Sequence, residues 1–404
     1  MNTIQNAFIV GAVRTPTGQK GGGLSRVHPE VLGSLVVKEV VKRTGIDPKK
    51  IDECVVGCAT QTAEQGFNIG RLIALNALGP EMPASTVNML CGSSAQAIRF
   101  ATAMVEDGTD DVVLAGGVEN NHVVFQGQDL MPSSRNPLES LKNVWRMVRL
   151  RDKLVSLSLP KDYIFHPMGK SGDAIAKERG FKRKELDEFA FNSQIKAAHA
   201  MHSGYFDREI VPVQTKVGIV SADEGIRPDT SIAALSSLKP SFGENGFHTA
   251  GSSSQISAGA AAVIIASERA VKQHDLKPIA RIVASSVVGT DPQKPEEQLI
   301  GPIDAIRKVL DKAGLSINDI DLFEINEAFA SVVLATQRDL NISSEKLNVN
   351  GGAIALGHPL GTSGVRLPVT LLHEMQRRAN NGEKNKIWFN SSLYWWWTSY
   401  CYYF

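Results

Sequence analysis

The sequence predicts an α/β fold made of two related halves, and three observations point to it. A helix-glycine-strand unit occurs twice. Val40-Val41-Lys42-Arg43-Thr44-Gly45-Ile46 is followed by Ile51-Asp52, and Val309-Leu310-Asp311-Lys312-Ala313-Gly314-Leu315 by Ile320-Asp321, with the same gap from glycine to Ile-Asp. Each copy reads as a helix closed by a glycine C-cap, a short loop and an apolar strand. Strand and helix signals also alternate through the two flanking regions but not through residues 121 to about 247. Finally, 404 residues can bury a sizeable core in two or three lobes.

In chain order, Cys54 and Cys58 fall in a strand-like run with no metal-ligand pattern around them. The apolar stretch Val87-Asn88-Met89-Leu90 breaks at Cys91-Gly92-Ser93-Ser94 and resumes with helical spacing at Ala95, Ile98 and Ala101. Cys91 is therefore expected at a helix N-terminus, where unpaired N–H groups and the positive end of the dipole favour thiolate over thiol. A buried structural role is the commoner fate of a free cysteine, so Cys91 alone decides nothing. The middle region carries Pro132, Pro137 and Pro160, a basic run at Arg146, Arg149, Arg151 and Lys153, and an amphipathic helix from Lys182 to Ser203.

In the second half, Phe323-Glu324-Ile325 reads as a strand running into a helix, with Asn326 and Glu327 at the junction. Polar groups at a strand's carboxyl end are common site positions in α/β folds, although Asn-Glu before a helix also serves as a cap. Gly351 to Gly364 is a glycine-dense turn with one histidine, His358. Glycine lets backbone approach a ligand closely, and His358 is a candidate base for Cys91.

A net charge of +1 with interspersed signs leaves no footprint for nucleic acid or an acidic membrane. Four cysteines, at 54, 58, 91 and 401, are too few for a disulfide framework and fit a reduced, cytoplasmic compartment. The N-terminus has no basic region followed by a long apolar stretch, and Ala258 to Ala266 falls far short of the roughly 20 residues that span a bilayer. A soluble intracellular protein is expected.

Cys91, His358 and Asn326-Glu327-Ala328-Phe329 together resemble the thiolases, which make or break a carbon–carbon bond between acyl-CoA thioesters. The resemblance runs from residue 6 to about 385. It includes Ile9-Val10-Gly11-Ala12-Val13-Arg14-Thr15-Pro16, Ala115-Gly116-Gly117-Val118-Glu119, Asp223-Glu224-Gly225-Ile226-Arg227, Ser253-Ser254-Gln255-Ile256-Ser257 and Gly301-Pro302-Ile303. The Ser-Ser-Gln-Ile-Ser segment is more similar to degradative 3-ketoacyl-CoA thiolases of fatty acid β-oxidation than to biosynthetic ones. The resemblance implies a five-layer α/β/α/β/α core of two βαβαβαββ halves, 1-120 with 248-275 and 276-385, and a loop domain, 121-247, that covers CoA. It further implies contacts to CoA at Met168, Arg227, Phe242, Ala250, Ser254, Ala328 and Phe329. CoA is then a substrate, with no separate cofactor or metal, and the assembly a homodimer or homotetramer. Pro167, Ser252, Ser257 and Ala258 depart from the family pattern.

By the same resemblance, Cys91 attacks the thioester carbonyl of a 3-ketoacyl-CoA or acetyl-CoA while His358 takes the thiol proton. His358 and a water on Asn326 stabilise the enolate oxygen, and the Cys91 N–H helps hold the oxyanion. A decarboxylating ketoacyl synthase shares the fold but uses Cys with two histidines, and the Asn326-Glu327-Ala328-Phe329 segment argues against it.

The resemblance breaks after Lys386. Residues 387 to 404 carry no charge but hold four of the five tryptophans and four of the six tyrosines. The family ending at this distance, Lys-Tyr-Gly-Leu-x-x-Leu-Cys-x-Gly-Gly-Gly, supplies a second catalytic cysteine that is missing here. Leu393-Tyr394-Trp395-Trp396-Trp397-Thr398 can be encoded TTG TAT TGG TGG TGG ACA. Read one nucleotide later, this becomes TGT ATT GGT GGT GGA, or Cys-Ile-Gly-Gly-Gly. The same shift turns Lys386 to Asn390 into Lys-Tyr-Gly-Leu-x. The expectation is a one-nucleotide frameshift at about Glu383 to Lys386 and an aberrant tail over 386-404. Such a chain keeps the acylation half of the reaction and is impaired in the other, with an uncovered sheet edge. A non-catalytic CoA-binding or subunit-partner protein is the alternative, favoured by the missing cysteine.

Overall fold

A computed structural model of the chain describes residues 5–130 and 166–383, with the backbone of 388–393 and 399–403. The prolines and the basic run singled out between Pro132 and Pro160 lie outside the described residues. The strands are β1 (Ala7–Arg14), β2 (Glu53–Gly57), β3 (Ala84–Val87), β4 (Val112–Asn120), β5 (Val213–Thr215), β6 (Gly218–Val220), β7 (Ala258–Ser267), β8 (Ala280–Ile282), β9 (Ala284–Val288), β10 (Leu322–Ile325), β11 (Trp388–Leu393) and β12 (Ser399–Tyr403). They form a six-stranded sheet in the order β3-β2-β4-β7-β1-β8, a four-stranded sheet in the order β10-β11-β12-β9, and the hairpin β5-β6. In the larger sheet β2 runs parallel to β3 and β4, while β7 is antiparallel to β4 and β1. Every residue of β4 and β7 is buried. Both faces are covered, so these strands are apolar almost throughout rather than alternating.

Helices make the other layers. α1 (Pro29–Thr44) and α2 (Ile69–Leu78) cover the outer face of the larger sheet through Leu32, Val36, Val40, Ile69 and Ile73. Between the sheets lie α3 (Ser93–Asp107) and, late in the chain, a long helix over Leu360–Asn380; Ile98, Ala101, Val365 and Val369 share one core with the inner face of the larger sheet and with Leu322 of β10. The middle region supplies α4 (Met168–Glu178), α5 (Arg183–His202) and α6 (Ile232–Ser236), followed by α7 (Glu268–Gln273). α8 (Gly301–Ala313) and α9 (Ala330–Leu340) pack Ile306, Val309 and Val333 against Phe323 and Ile325 on the far side of β10. α10 (Ala353–Leu356) precedes the long helix, α11. The result is the five-layer α/β/α/β/α arrangement.

The duplicated sequence unit is a duplicated structure. Gly45 (φ 72°) and Gly314 (φ 67°) close α1 and α8 in the left-handed region, where a residue without Cβ is unstrained. Each is followed by a 3₁₀ turn, at Pro48–Lys50 and Ile317–Asp319, and then by β2 or β10. The amphipathic helix expected from Lys182 to Ser203 is α5 with its two capping residues; the Glu185 carboxylate accepts from the Lys182 N–H at 2.7 Å.

The tail corrects one expectation. β11 lies parallel to β10, with Trp388 beside Leu322, and β12 fills the gap between β11 and β9, antiparallel to both. The smaller sheet is closed by the tail, not left with an uncovered edge there. Strand pairing uses backbone N–H and C=O groups, so a tail rich in Trp, Phe and Tyr, all strong strand formers, can fill the place. Among the described residues no helix is long and apolar enough to cross a membrane, and no group of His, Cys, Asp or Glu could hold a metal ion.

Candidate active site

The two inner helices meet at their N-termini. A Cβ on Gly364 of α11 would lie 2.8 Å from that of Ala95 on α3, and the Val365 N–H donates to Ser94 Oγ at 3.0 Å. On β4, Gly117 leaves the room that Ser94 occupies, since a Cβ there would lie 2.5 Å from the serine's. Only glycine permits such close approach of helix to helix and helix to sheet. The segments ahead of the two helices are thereby brought together, and they carry Cys91 and His358.

Cys91 sits in a 3₁₀ turn, Leu90–Gly92, that leads into α3. Leu90 has φ 50°, an uncommon conformation for a branched side chain. Side chains hold the turn: Asn88 Oδ1 accepts from the Leu90 N–H at 2.9 Å, while Ser93 Oγ accepts from Met89 N–H at 2.9 Å and donates to Leu90 O at 2.6 Å. The thiol is buried against Ala59, Leu360, Leu90 and Met168. Burial pushes it up to about 12, and the nearby Glu119 carboxylate acts in the same direction against the Cys91 backbone N–H. The thiolate expected from the helix terminus is thus corrected to a resting thiol, because desolvating a charge outweighs the pull of one terminus.

His358 lies just ahead of α11. Its Nδ1 is 2.7 Å from Ser363 Oγ, whose hydroxyl donates to Pro359 O at 3.0 Å. The serine oxygen therefore accepts from Nδ1–H, and the lone pair is on Nε2. Asn326 Nδ2 approaches Nε2 at 3.4 Å. Burial, then the charge of Arg366, holds the imidazole down at about 3, so it is neutral. Asn326 Oδ1 is buried with no partner among the described residues. Glu327 faces elsewhere: it accepts from Ser193 Oγ at 2.6 Å, Asn348 Nδ2 at 2.9 Å and the Ile354 N–H at 3.1 Å, and so braces the turn that leads to His358.

Cys91 and His358 open into one cleft of about 850 Å³. Met168, Arg227 and Phe242 line it from the middle region, and Ala250, Ser254, Ala328 and Phe329 from two segments laid side by side. Ser254 N–H donates to Ala328 O and Ala330 N–H to Ser252 O, both at 3.0 Å. The Phe242 and Phe329 rings meet edge to face at 5.6 Å. Asn326 stands behind His358, outside the lining. Arg227 is carried by a segment anchored at Asp223, whose carboxylate accepts from the two terminal guanidinium nitrogens of the buried Arg14 at 2.7 and 2.9 Å; Glu209 accepts from its Nε at 2.6 Å. Sequence reasoning missed Lys20, Asn121 and Gln255 on the cleft wall, and Ser363, whose i+5 spacing from His358 was the one available signal.

The thiolase N-terminal domain family matches residues 7–269 and the thiolase C-terminal domain family residues 276–384. The chain belongs to the thiolase family. It is 41% identical over 391 residues to the 3-ketoacyl-CoA thiolase of Bacillus subtilis, covering 93% of this thiolase and 94% of that one. It is likewise 41% identical over 378 residues to the acetyl-CoA acetyltransferase of Chromobacterium violaceum, at 92% and 93% coverage. Among solved structures, human mitochondrial 3-ketoacyl-CoA thiolase in complex with CoA superposes with a TM-score of 0.86 at 35% identity, over 100% of this chain and 98% of the other. The C-terminal family match stops at residue 384, just short of the tail. The family is that of acyltransferases acting on CoA thioesters, as the sequence resemblance implied.

Proposed function

We propose that this thiolase transfers acyl groups between 3-ketoacyl-CoA or acetyl-CoA and CoA through an acyl group carried on Cys91, with His358 as the base. One observation supports this above all: a buried thiol and a neutral imidazole, each ahead of an inner helix, share one cleft. Neither is charged at rest, so the proton passes from Sγ to Nε2 only as sulfur attacks a carbonyl. The Cys91 N–H at the head of α3 donates to the resulting oxyanion. In thiolysis the carbon attacked is the 3-keto carbon, and not the thioester carbonyl expected from the sequence, because only that attack makes C2–C3 the bond that breaks. Acetyl-CoA leaves as its enolate, with its oxygen facing His358 and a water that donates to Asn326 Oδ1. The enolate carbon then takes a proton, and CoA thiol displaces the acyl group from Cys91. Condensation runs these steps backwards, starting from the thioester carbonyl of acetyl-CoA.

CoA occupies the cleft in this reading, contacting Met168, Arg227, Phe242, Ala250, Ser254, Ala328 and Phe329; the CoA-bound human structure supports it. A cytoplasmic homo-oligomer serving fatty acid β-oxidation, with halves 1-120/248-275 and 276-385 and a loop domain 121-247, completes the proposal. The donor that protonates the enolate in the family has no counterpart among the four cysteines, since Cys401 stands mid-strand in β12. The carbon–carbon step is therefore slowed by ~10²- to 10⁴-fold. The test is mass spectrometry after incubation with acetoacetyl-CoA and a longer 3-ketoacyl-CoA. A hydroxylamine-labile acyl group on Cys91, absent from Cys91→Ala, is expected; an acyl group on Cys54 or Cys58 refutes the assignment. CoA binding with no acylation at all would favour the non-catalytic alternative.

A further inference from the structure

Glu119, at the end of β4, is fully buried and takes no part in the chemistry described above. Its carboxylate is surrounded by N–H donors from three directions. Ala59 N–H at 2.8 Å and Thr60 N–H at 3.2 Å reach it from the loop after β2, and Gln65 Nε2 at 2.7 Å from the turn that follows. Gly361 N–H donates from the first turn of α11 at 2.9 Å, and Asn121 Nδ2 approaches at 3.4 Å. All five are donors. Burial pushes the Glu119 carboxyl up, and the bonds from Ala59, Gln65, Gly361 and Thr60 pull it back down. A protonated carboxyl would need an acceptor for its own hydrogen, and with five donors and no acceptor around it among the described residues the site favours the ionised form.

The donors lead to the reacting groups. Ala59 packs on Cys91, and its carbonyl accepts from Asn88 Nδ2 at 2.8 Å, the side chain that also holds the Leu90 N–H. Gly361 is three residues past His358, and a Cβ there would lie 2.7 Å from the Glu119 carboxylate, which leaves no slack. We propose that Glu119 is the positioning residue of the site, one carboxylate that sets the Cys91 turn and the His358 turn at a fixed separation. Its charge has a second effect. A buried anion beside Cys91 disfavours thiolate, so the nucleophile stays unreactive towards adventitious electrophiles until a carbonyl and His358 act on it together. Among the described residues, the other ionisable groups around Cys91 include neutral His358, the thiol of Cys58, which burial and then Glu119 push up, and Lys20 and Arg227 on the cleft wall.

This deepens the proposed acyl transfer and rests on Cys91 being its nucleophile. Iodoacetamide alkylation of the Cys91 peptide, followed against pH by mass spectrometry, reads the charge without any turnover. In the wild type, where burial and then the Glu119 charge raise the thiol, the logarithm of the rate should still be rising at pH 10; a plateau below pH 9 would overturn the charge effect whether or not any variant folds. Glu119→Gln keeps the shape and removes the charge, and should move the profile down by roughly one pH unit or more. Glu119→Asp keeps the charge but withdraws it from its donors. It should leave the alkylation profile in place and slow Cys91 acylation by roughly 10²-fold, with the half-saturating acyl-CoA concentration little changed. A Glu119→Gln protein with wild-type alkylation and acylation would sink the inference. Wild-type protein that is never acylated on Cys91 would instead remove the functional reading, and the alkylation profile would still report on Glu119.

Discussion

Replacing Arg14 with methionine should both loosen the fold and weaken acyl-CoA binding. The guanidinium is buried between Asp223 and Glu209. Without it Asp223 keeps the Thr17 N–H at 2.7 Å and Glu209 the Thr370 hydroxyl at 3.1 Å, so two carboxylates are left buried with one donor each. Removing one partner of a buried ion pair costs about 3–5 kcal/mol. At roughly 2 °C per kcal/mol for a chain of this length, the thermal midpoint should fall by roughly 6–10 °C. Asp223 lies four residues before Arg227, so the same change frees the segment that brings Arg227 to the cleft. Calorimetry gives the midpoint, and the rate of Cys91 acylation against acyl-CoA concentration gives the binding effect, expected as a roughly tenfold higher half-saturating concentration. Arg14→Lys should fall between, since an ammonium keeps the charge but loses the two-pronged contact. A methionine variant that melts within 2 °C of the wild type, or binds acyl-CoA unchanged, would refute the reasoning.

Changing His358 to alanine should slow Cys91 acylation by ~10²- to 10⁴-fold; because the ring is held at about 3, the wild-type rate should show no histidine inflection between pH 5 and 8. Thermal stability should turn down on the acid side of about pH 4.5, because Glu119, Glu324 and Glu327, all pushed up by burial, favour mild acid over neutral pH while the buried histidines oppose acid. His248, held down at about 4 by burial, and His358 both bind protons more weakly folded than unfolded, so their contribution is complete above the ordinary 6.5 and is lost as pH falls from there towards 4 and 3, with His248 alone worth about 3 kcal/mol. Glu324, pushed up to about 8 by burial, acts oppositely: its contribution is complete below 4.5 and is lost as pH rises to 8. Melting midpoints that keep rising as pH falls below about 4.5 would contradict this. Gly361→Ala should abolish acylation and lower soluble yield, because its Cβ would sit 2.6 Å from Val118 O and 2.8 Å from Cys58 Cα. Recoding the chain from about Lys386 one nucleotide later, so that it ends through Cys-Ile-Gly-Gly-Gly, should raise carbon–carbon bond turnover by at least ~10²-fold; equal turnover before and after would mean the second cysteine is dispensable here.

Much of this protein was legible in the residues themselves. The paired helix-glycine-strand units appear in the fold because a left-handed glycine and an apolar strand are local signals, readable over a dozen residues. Cys91, His358 and Asn326 could be singled out for the same reason, each standing where a glycine-rich or polar break interrupts an apolar run. Their environment could not. Whether Cys91 rests as thiol or thiolate depends on burial by Ala59, Leu360 and Met168, which are far apart in the chain. The role of Glu119 depends on donors that include Gly361, 242 residues away. The tail shows the same limit: its composition announced the break, but its pairing with β10 and β9 was decided by backbone groups that any strand-forming sequence offers. Local sequence determined which residues could be chemical and where the chain would turn. Charge state, tautomer and mutual position came only with the tertiary structure, because desolvation and long-range hydrogen bonds are set by what the rest of the chain packs around each group.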